Sequence, residues 1–556
     1  MSAPSGSATQ TSYQGNDKLL AGLVLSIVSY WLFAISLGTV APAVLLDLNG
    51  PYTDPAAGTW ASTVMSPTAM NLAVALTGLV SGLFIVLMGG FADKFGRVRL
   101  TIIGNLLNIV GCVLIVLATG ALASPLMIGG RAIQGLSAAC VMPATIALVK
   151  TYWDGPARQR AVSMWSIGSF GGAGLAAFVG GLTATEMNWR WIFVFSMIVS
   201  VVAVLLVWGT PESRVTEPGR HGFDVRGLVV FLITVLAMMM LLTFAGKTFD
   251  WFSPIGLILI IVTIVGIAAF IAVERNKEHA FIDFALFKNT TFTGATLSNF
   301  LINGTIGMLI ISQQVIQLAG CKVERDAAGH CPAGGLYSAW DAGLLTLGYG
   351  VFIIAFIRVG EKLLQKFGPR KPMIWGSLIV GAAILCLMPT HMLLDTYRIF
   401  AIIGFSLFGL GLAFYATPST DAALANLPAD QAGSGAGIYK MASSLGGAIG
   451  TAISLAVFTG LSGADYQMLG NVIEMQGAQT NVSLRLAGMA ALGVNLVFLL
   501  LAIISITVTV PKQTGPITPT PQPTPDAIAE AGFVECPTCH GEGYVKRSDL
   551  AGSSAG

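Results

Sequence analysis

Charge is what this 556-residue sequence has least of: 10% of its residues are charged and 54% are hydrophobic, against roughly 25% charged in a soluble domain. With a mean hydropathy of +0.77, this excludes a water-soluble chain and leaves a polytopic, all-α membrane protein. Seven cysteines are too few for a disulfide scaffold, and Cys112, Cys140 and Cys386 fall in apolar runs, where cysteine acts as a small hydrophobe. No nucleotide-binding motif is present, which argues against ATP as an energy source, and no cofactor is implied. Nor is a cleavable signal evident: residues 1–17 are polar, and the apolar run after Lys18 is about 25 residues long, a spanning length.

What is there is a series of apolar windows about 20 residues long. They predict fourteen spans, at 19–44, 67–90, 101–119, 125–149, 161–183, 190–209, 227–245, 254–273, 293–318, 340–358, 373–390, 398–418, 433–460 and 485–510. With both termini inside, the inner segments hold 21 of the 29 basic residues and the outer ones six: Arg190, Lys247, Lys322, Arg325, Arg398 and Arg485. That asymmetry fits the positive-inside rule, whereas the mirror topology violates it.

Residues 89–100, GGFADKFGRVRL, pack Asp93, Lys94, Arg97 and Arg99 between two apolar runs, where burying such charges near the bilayer centre costs about 2.5–3.5 kcal/mol each. The segment is therefore expected to be a short hairpin at a membrane face. Gly89 admits a close neighbouring helix and Gly96 a backbone turn. Asp93 is placed near the positive N-terminal end of an adjacent helix, with Arg97 and Arg99 in water or among lipid phosphates.

In this form the segment resembles the loop between the second and third helices of the major facilitator superfamily, with Gly89, Asp93, Lys94, Gly96 and Arg97 on the pattern and Phe91 replacing a leucine. The fourth span is similar to the superfamily pattern R-x-x-q-G at Arg131, Gln134 and Gly135. There the resemblance implies a part in proton coupling; the residues alone also allow an arginine that bonds carbonyls of a neighbouring span. The fifth span carries Gly168, Gly171, Gly172, Gly174, Gly180 and Gly181, which strip bulk from one or two helix faces as rocking halves require. It looks like the antiporter pattern except that Ala176 and Ala177 stand where Gly-Pro is usual. The segment 189–193, WRWIF, is further similar to the fourteen-span drug:proton antiporters.

The resemblance implies two six-helix bundles plus two extra helices, a transporter and not an enzyme. The segments are then 1–17, a cytoplasmic N-terminus; 18–210, an N-terminal bundle; 211–292, a two-helix insert with linkers; 293–510, a C-terminal bundle; and 511–556, a Pro/Thr-rich tail. The implied activity is proton-coupled export of amphipathic organic compounds across the plasma membrane by alternating access, by a monomer with lipid, protons and a small organic substrate as partners and no nucleic acid.

Carboxylates are scarce in the spans. Phe33 stands where exporters of lipophilic cations usually carry an acid, and Asp341 is preferred over Asp421 as the coupling carboxylate, although either is also explicable as a helix-end residue. Lys440, seven residues into span thirteen and so about 10 Å deep, stands where the family has a neutral amide. Either it binds an anionic group in the cavity, or it pairs with a neighbour or snorkels inward. An anion-exporting alternative rests on Phe33 and Lys440. A more remote alternative is a non-transporting receptor whose output is the tail. Polar and aromatic groups at Tyr30, Trp31, Ser36, Thr39, Asn299, Asn303, Gln313, Gln314, Gln317, Tyr349, Tyr415 and Tyr439 complete a cavity. Cys321 and Cys331, close together in an outer loop, are expected to form a disulfide or to stay free. Cys536, Cys539 and His540 resemble one repeat of a chaperone zinc domain, which offers too few ligands for a closed zinc site without a second copy.

Overall fold

A computed structural model describes residues 14–50, 52–54, 59–60, 64–214, 225–245, 249–274, 284–319, 339–425, 427, 432–462, 482–512, 533–535 and 544–546. Thirteen segments are long and apolar enough to cross a membrane, and the 20-residue helix Val225–Phe244 makes the fourteenth span.

In chain order the spans are α1 (Asp17–Val28, the π-helical turn Ser29–Ala34 and Leu37–Asn49), α2 (Pro67–Phe95), α3 (Arg97–Val116), α4 (Ala123–Tyr152), α5 (Gly155–Ser166, the π-helical turn Ile167–Gly171 and Gly172–Glu186), α6 (Arg190–Val207) and α7 (Val225–Phe244). They continue as α8 (Pro254–Glu274), α9 (Thr290–Gly304 and Gly307–Ala319), α10 (Ala339–Phe367), α11 (Arg370–Leu387), α12 (Leu394–Ala425), α13 (Ala432–Ser462) and α14 (Val482–Thr509). Between α1 and α2 the short strands β1 (Tyr52–Asp54) and β2 (Thr59–Trp60) pair antiparallel.

Helix starts follow local chemistry. The side chains of Asn16, Ser66 and Asn289 accept from Leu19 N, Ala69 N and both Thr291 N and Phe292 N, satisfying amide donors that have no partner within the helix. Where a long apolar helix faces lipid, its residues are exposed: α8 shows Ile258, Ile261, Ile264 and Val265 more than half exposed. Its strongly apolar composition is stable in that position only against hydrocarbon.

Two features depart from the sequence reading. The expected hairpin at 89–100 is a single residue, Gly96, with φ +119°, because α2 runs on through Asp93 and Lys94 to Phe95. The π-helical turns of α1 and α5 were not anticipated.

The glycines of α5 face two ways. A Cβ on Gly168 or Gly172 would meet Val24 O at 3.0 Å or Trp31 Cβ at 3.1 Å, and one on Gly180 would meet Ser36 Cβ at 2.8 Å, all on α1. On the other side a Cβ on Gly174 would lie 2.7 Å from Gly350 Cα on α10. Gly181 accepts a hydrogen bond from Thr185 at 2.8 Å.

Residues 515–556 form a separate unit. Within it β3 (Phe533–Glu535) and β4 (Tyr544–Lys546) pair antiparallel, Val534 opposite Val545.

Candidate transport site and the latch between the halves

The last turn of α2 and the first of α13 meet across the molecule. A Cβ on Gly89 would lie 2.5 Å from Gly433 O, so only glycine permits the approach. It brings the Asp93 carboxylate onto the exposed amides of the α13 N-terminus: Gly433 N and Ser434 N donate to it, each at 2.9 Å. This is the favourable end of the helix dipole for an anion. Arg97 Nη2 donates to the same carboxylate at 2.7 Å and Arg97 Nε at 3.0 Å, while Arg97 Nη1 donates to Thr151 at 2.5 Å and Ser213 at 3.1 Å.

Arg97 is thus buried, correcting the expectation of an arginine in water, because Asp93, Thr151 and Ser213 supply the acceptors that water would have supplied. Arg99 and Lys94 are exposed.

A complementary contact forms at a helix C-terminus. Lys150 Nζ, at the end of α4, donates to Leu424 O at 2.6 Å in the last turn of α12 and to Leu427 O at 2.5 Å just beyond it. Arg158 on α5 donates to Asp421 at 3.0 Å. Asp421 is therefore an ion-paired tie between α12 and α5, one in each half.

This pair can be tested by charge exchange. Arg158→Asp or Asp421→Arg alone should cut transport roughly tenfold, and the double exchange should restore most of it. Failure of the double variant to recover while both singles fold rules out the pairing as the reason.

The Arg131 guanidinium is almost wholly buried. It donates to Ala34 O at 2.7 Å at the end of the α1 π-turn, to Ala73 O at 3.0 Å on α2 and to Gln134 Oε1 at 2.8 Å. Gln134 Nε2 contacts Cys112 Sγ at 3.2 Å, and Asn108 on α3 donates to Ser196 and Ser200 on α6 at 2.9 and 2.8 Å. Arg131 so ties α1 and α2 to its own helix α4, and among the described residues no carboxylate pairs with it. Asp341 is not part of this cluster: it lies in the first turn of α10, in the other half, partly exposed.

Four of the residues expected to line a cavity, Asn299, Asn303, Tyr415 and Tyr439, are sealed in this conformation, because each finds a partner within the C-terminal half. Asn299 donates to Tyr439 O at 3.0 Å and to Ser443 Oγ at 2.5 Å, and Asn303 donates to Asn299 Oδ1 at 2.9 Å. Tyr415 pairs with Ser298 at 2.8 Å, and Tyr439 donates to Ser419 at 3.0 Å. Gln313 is half-buried; the side chain of Gln317 lies outside the described residues. Tyr30 is buried edge-on to Trp31, their centroids 5.3 Å apart, and Trp31 Nε1 is buried without an acceptor.

Lys440 neither snorkels to water nor lies in an open cavity in this conformation. It is 1% exposed, and among the described residues no carboxylate forms an ion pair with it. Its Nζ lies 4.1 Å from the Trp165 ring centroid, 5.3 Å from that of Phe170 and 5.6 Å from that of Tyr439. A desolvated cation over aromatic faces gains about 2 kcal/mol or more per good contact. Trp165 and Phe170 were not singled out from the sequence, since an aromatic pair in an apolar span reads as ordinary core.

With this geometry in place, comparison with known proteins is specific. A family model described as Major Facilitator Superfamily matches residues 19–451. The chain belongs to the major facilitator superfamily. This superfamily member is 43% identical over 507 residues to the quinolone resistance protein NorB of Staphylococcus aureus strain MRSA252, covering 91% of the chain and 98% of that protein. It is 44% identical, with the same coverage, to NorB of strain MSSA476.

Among solved structures, the major facilitator proton:xylose symporter XylE bound to 6-bromo-6-deoxy-D-glucose superposes with a TM-score of 0.58 at 15% identity, over 90% of this chain and 96% of that one. The human organic anion transporter MFSD10 gives 0.52 at 15%, over 88% and 98%. Both show the fold alone. The chain is a transporter, a multi-pass protein of the plasma membrane.

On the opposite face of this major facilitator chain the segment 189–193 has a visible job. Trp189 Nε1 and Arg190 Nη1 donate to Asp47 Oδ2 at 3.0 and 2.6 Å, and Arg190 stacks on Trp189 at 4.3 Å. Asp47 lies beyond the apolar stretch Asp17–Ala41. Partial burial alone would raise its pKa, but the hydrogen bonds from Trp189 and Arg190, with the guanidinium charge, outweigh that and hold the carboxyl below its ordinary value. It therefore stays charged at neutral pH and clamps α1 to α6. Cys321, Cys331, Cys536, Cys539 and His540 lie outside the described residues.

Proposed function

We propose that this chain is a proton-coupled exporter of amphipathic organic compounds, quinolone-like drugs among them, working by alternating access as a monomer with both termini in the cytoplasm. The observation that carries the reading is the match to a quinolone resistance protein along nearly the whole of both chains.

The latch supplies the mechanical part. It closes the face that holds most of the basic residues, the cytoplasmic one by the positive-inside rule, so the latched conformation is the one that releases cargo outward. The halves 18–210 and 293–510 then rock about the glycine-lined crossing of α5 with α10. The insert 211–292 contributes α7, which packs on α8 and touches both α2 and α13.

Asp341 is the coupling carboxylate in this reading, placed where α10 opens to the outer side. In proteoliposomes a proton gradient should drive accumulation of nalidixic acid or ethidium, and collapsing it should stop both. Asp341→Asn should uncouple transport, leaving downhill exchange while abolishing gradient-driven accumulation. Accumulation that survives collapse of the gradient refutes proton coupling, and an Asp341→Asn variant that still concentrates substrate removes Asp341 from the scheme.

A further inference from the structure

We infer that Lys440 is a movable cation, held in an aromatic box of the opposite half while the cytoplasmic face is latched and taken over by the carboxylate of an aromatic organic acid when the halves part. This deepens the export reading and rests on it, since it names a substrate class for that chamber.

The geometry makes three points. First, Lys440 and its box belong to different halves: the lysine is on α13, while Trp165 and Phe170 are on α5, Phe170 within its π-helical turn. Rocking that separates α5 from α13 must therefore strip two of the three rings from the ammonium.

Second, the box is fixed by its own half. Trp165 Nε1 donates to Thr145 on α4 at 3.0 Å, so the ring stays with the N-terminal half and does not follow the lysine.

Third, of these three rings Tyr439 alone travels with Lys440, and its hydroxyl is already engaged by Ser419 and Thr420 at 3.0 and 3.2 Å. A buried ammonium stripped of its partners is costly unless a counter-charge arrives. The described residues provide no carboxylate for it. An anionic group on an aromatic scaffold satisfies both needs, charge for Nζ and a ring for Tyr439. A lipophilic cation satisfies neither and must bind elsewhere in the chamber.

The test uses the full chain in detergent, with binding of nalidixic acid, its uncharged methyl ester and tetraphenylphosphonium measured in parallel. Lys440→Gln should weaken the acid roughly tenfold or more, the scale of one charge-assisted contact, and leave the ester and the cation unchanged, whereas Lys440→Arg should keep the acid. Trp165→Phe, a poorer π-face for a cation, should loosen the box and tighten acid binding, a sign that a merely damaged core does not give.

Equal weakening of all three ligands by Lys440→Gln, no effect on the acid, or weaker acid binding in Trp165→Phe overturns the inference. If Lys440→Gln does not fold, the wild type decides together with Trp165→Phe: an acid bound no more tightly than its ester overturns it. Gradient-driven flux is read separately, so a protein that binds acid through Lys440 without proton-driven export refutes the exporter reading and leaves this one standing.

Discussion

Asp93→Asn is expected to reduce export roughly 100-fold while leaving the protein folded and in the membrane. The carboxylate does two jobs at once, and an amide does neither well. It accepts two backbone N–H bonds from the start of α13 and two donors of Arg97, all within 3.0 Å. Asparagine keeps one acceptor oxygen, turns an NH2 group toward donors, and leaves the buried Arg97 uncompensated. Leaving one member of a buried pair costs about 3–5 kcal/mol, and about 3 kcal/mol of that acting on the latched state alone moves its population by roughly 100-fold.

The same loss should appear as cytoplasmic-face labelling of a cysteine introduced at Ser434, slow in the parent and fast in the variant. Arg97→Gln added to Asp93→Asn removes the orphaned charge and should recover part of the export. If the double variant is no better than the single, the damage does not come from the unpaired guanidinium.

The way this latch is written in the chain explains what a sequence can and cannot disclose. Membrane spans are legible because apolar length against bilayer thickness is a one-dimensional property; even the weakest, α7, forms a 20-residue helix. Gly96 is legible because a charged cluster between two spans forces a turn, and only glycine takes φ +119° without strain.

Arg97 misled because its burial is decided by residues 54 and 116 positions away, Thr151 and Ser213, which no local pattern connects to it. Lys440 misled for the same reason: its partners lie on a helix of the other half, and aromatic residues in an apolar run carry no mark of facing a cation. The π-helical turns of α1 and α5 leave no residue signature either, yet they set the level at which Tyr30, Trp31 and Phe170 stand. What alternating access requires is contact between halves, and that is the part of the structure least visible in sequence.

Arg131→Lys is the second large effect expected, and it separates the two meanings of that arginine. The planar guanidinium reaches Ala34 O on α1, Ala73 O on α2 and Gln134 Oε1 on its own helix from three directions. A single ammonium on a shorter reach keeps the charge but not the fork. At least one of these acceptors is then buried without a donor, a loss of about 1–3 kcal/mol for each unmet group, and export should fall roughly tenfold or more.

If the residue acts by holding α1 and α2 in place, thermal stability falls along with export, the proton-to-substrate ratio of the remaining flux is unchanged, and Gln134→Ala reproduces part of the stability loss. If instead Arg131 sets the proton step, the lysine variant keeps its stability and the ratio itself shifts. The absence of any carboxylate partner among the described residues, and the run of bonds from Arg131 and Gln134 to Cys112, favour the first outcome. On that view the charge is retained because a neutral side chain has too few donors to close a break in α1 that the transport cycle needs.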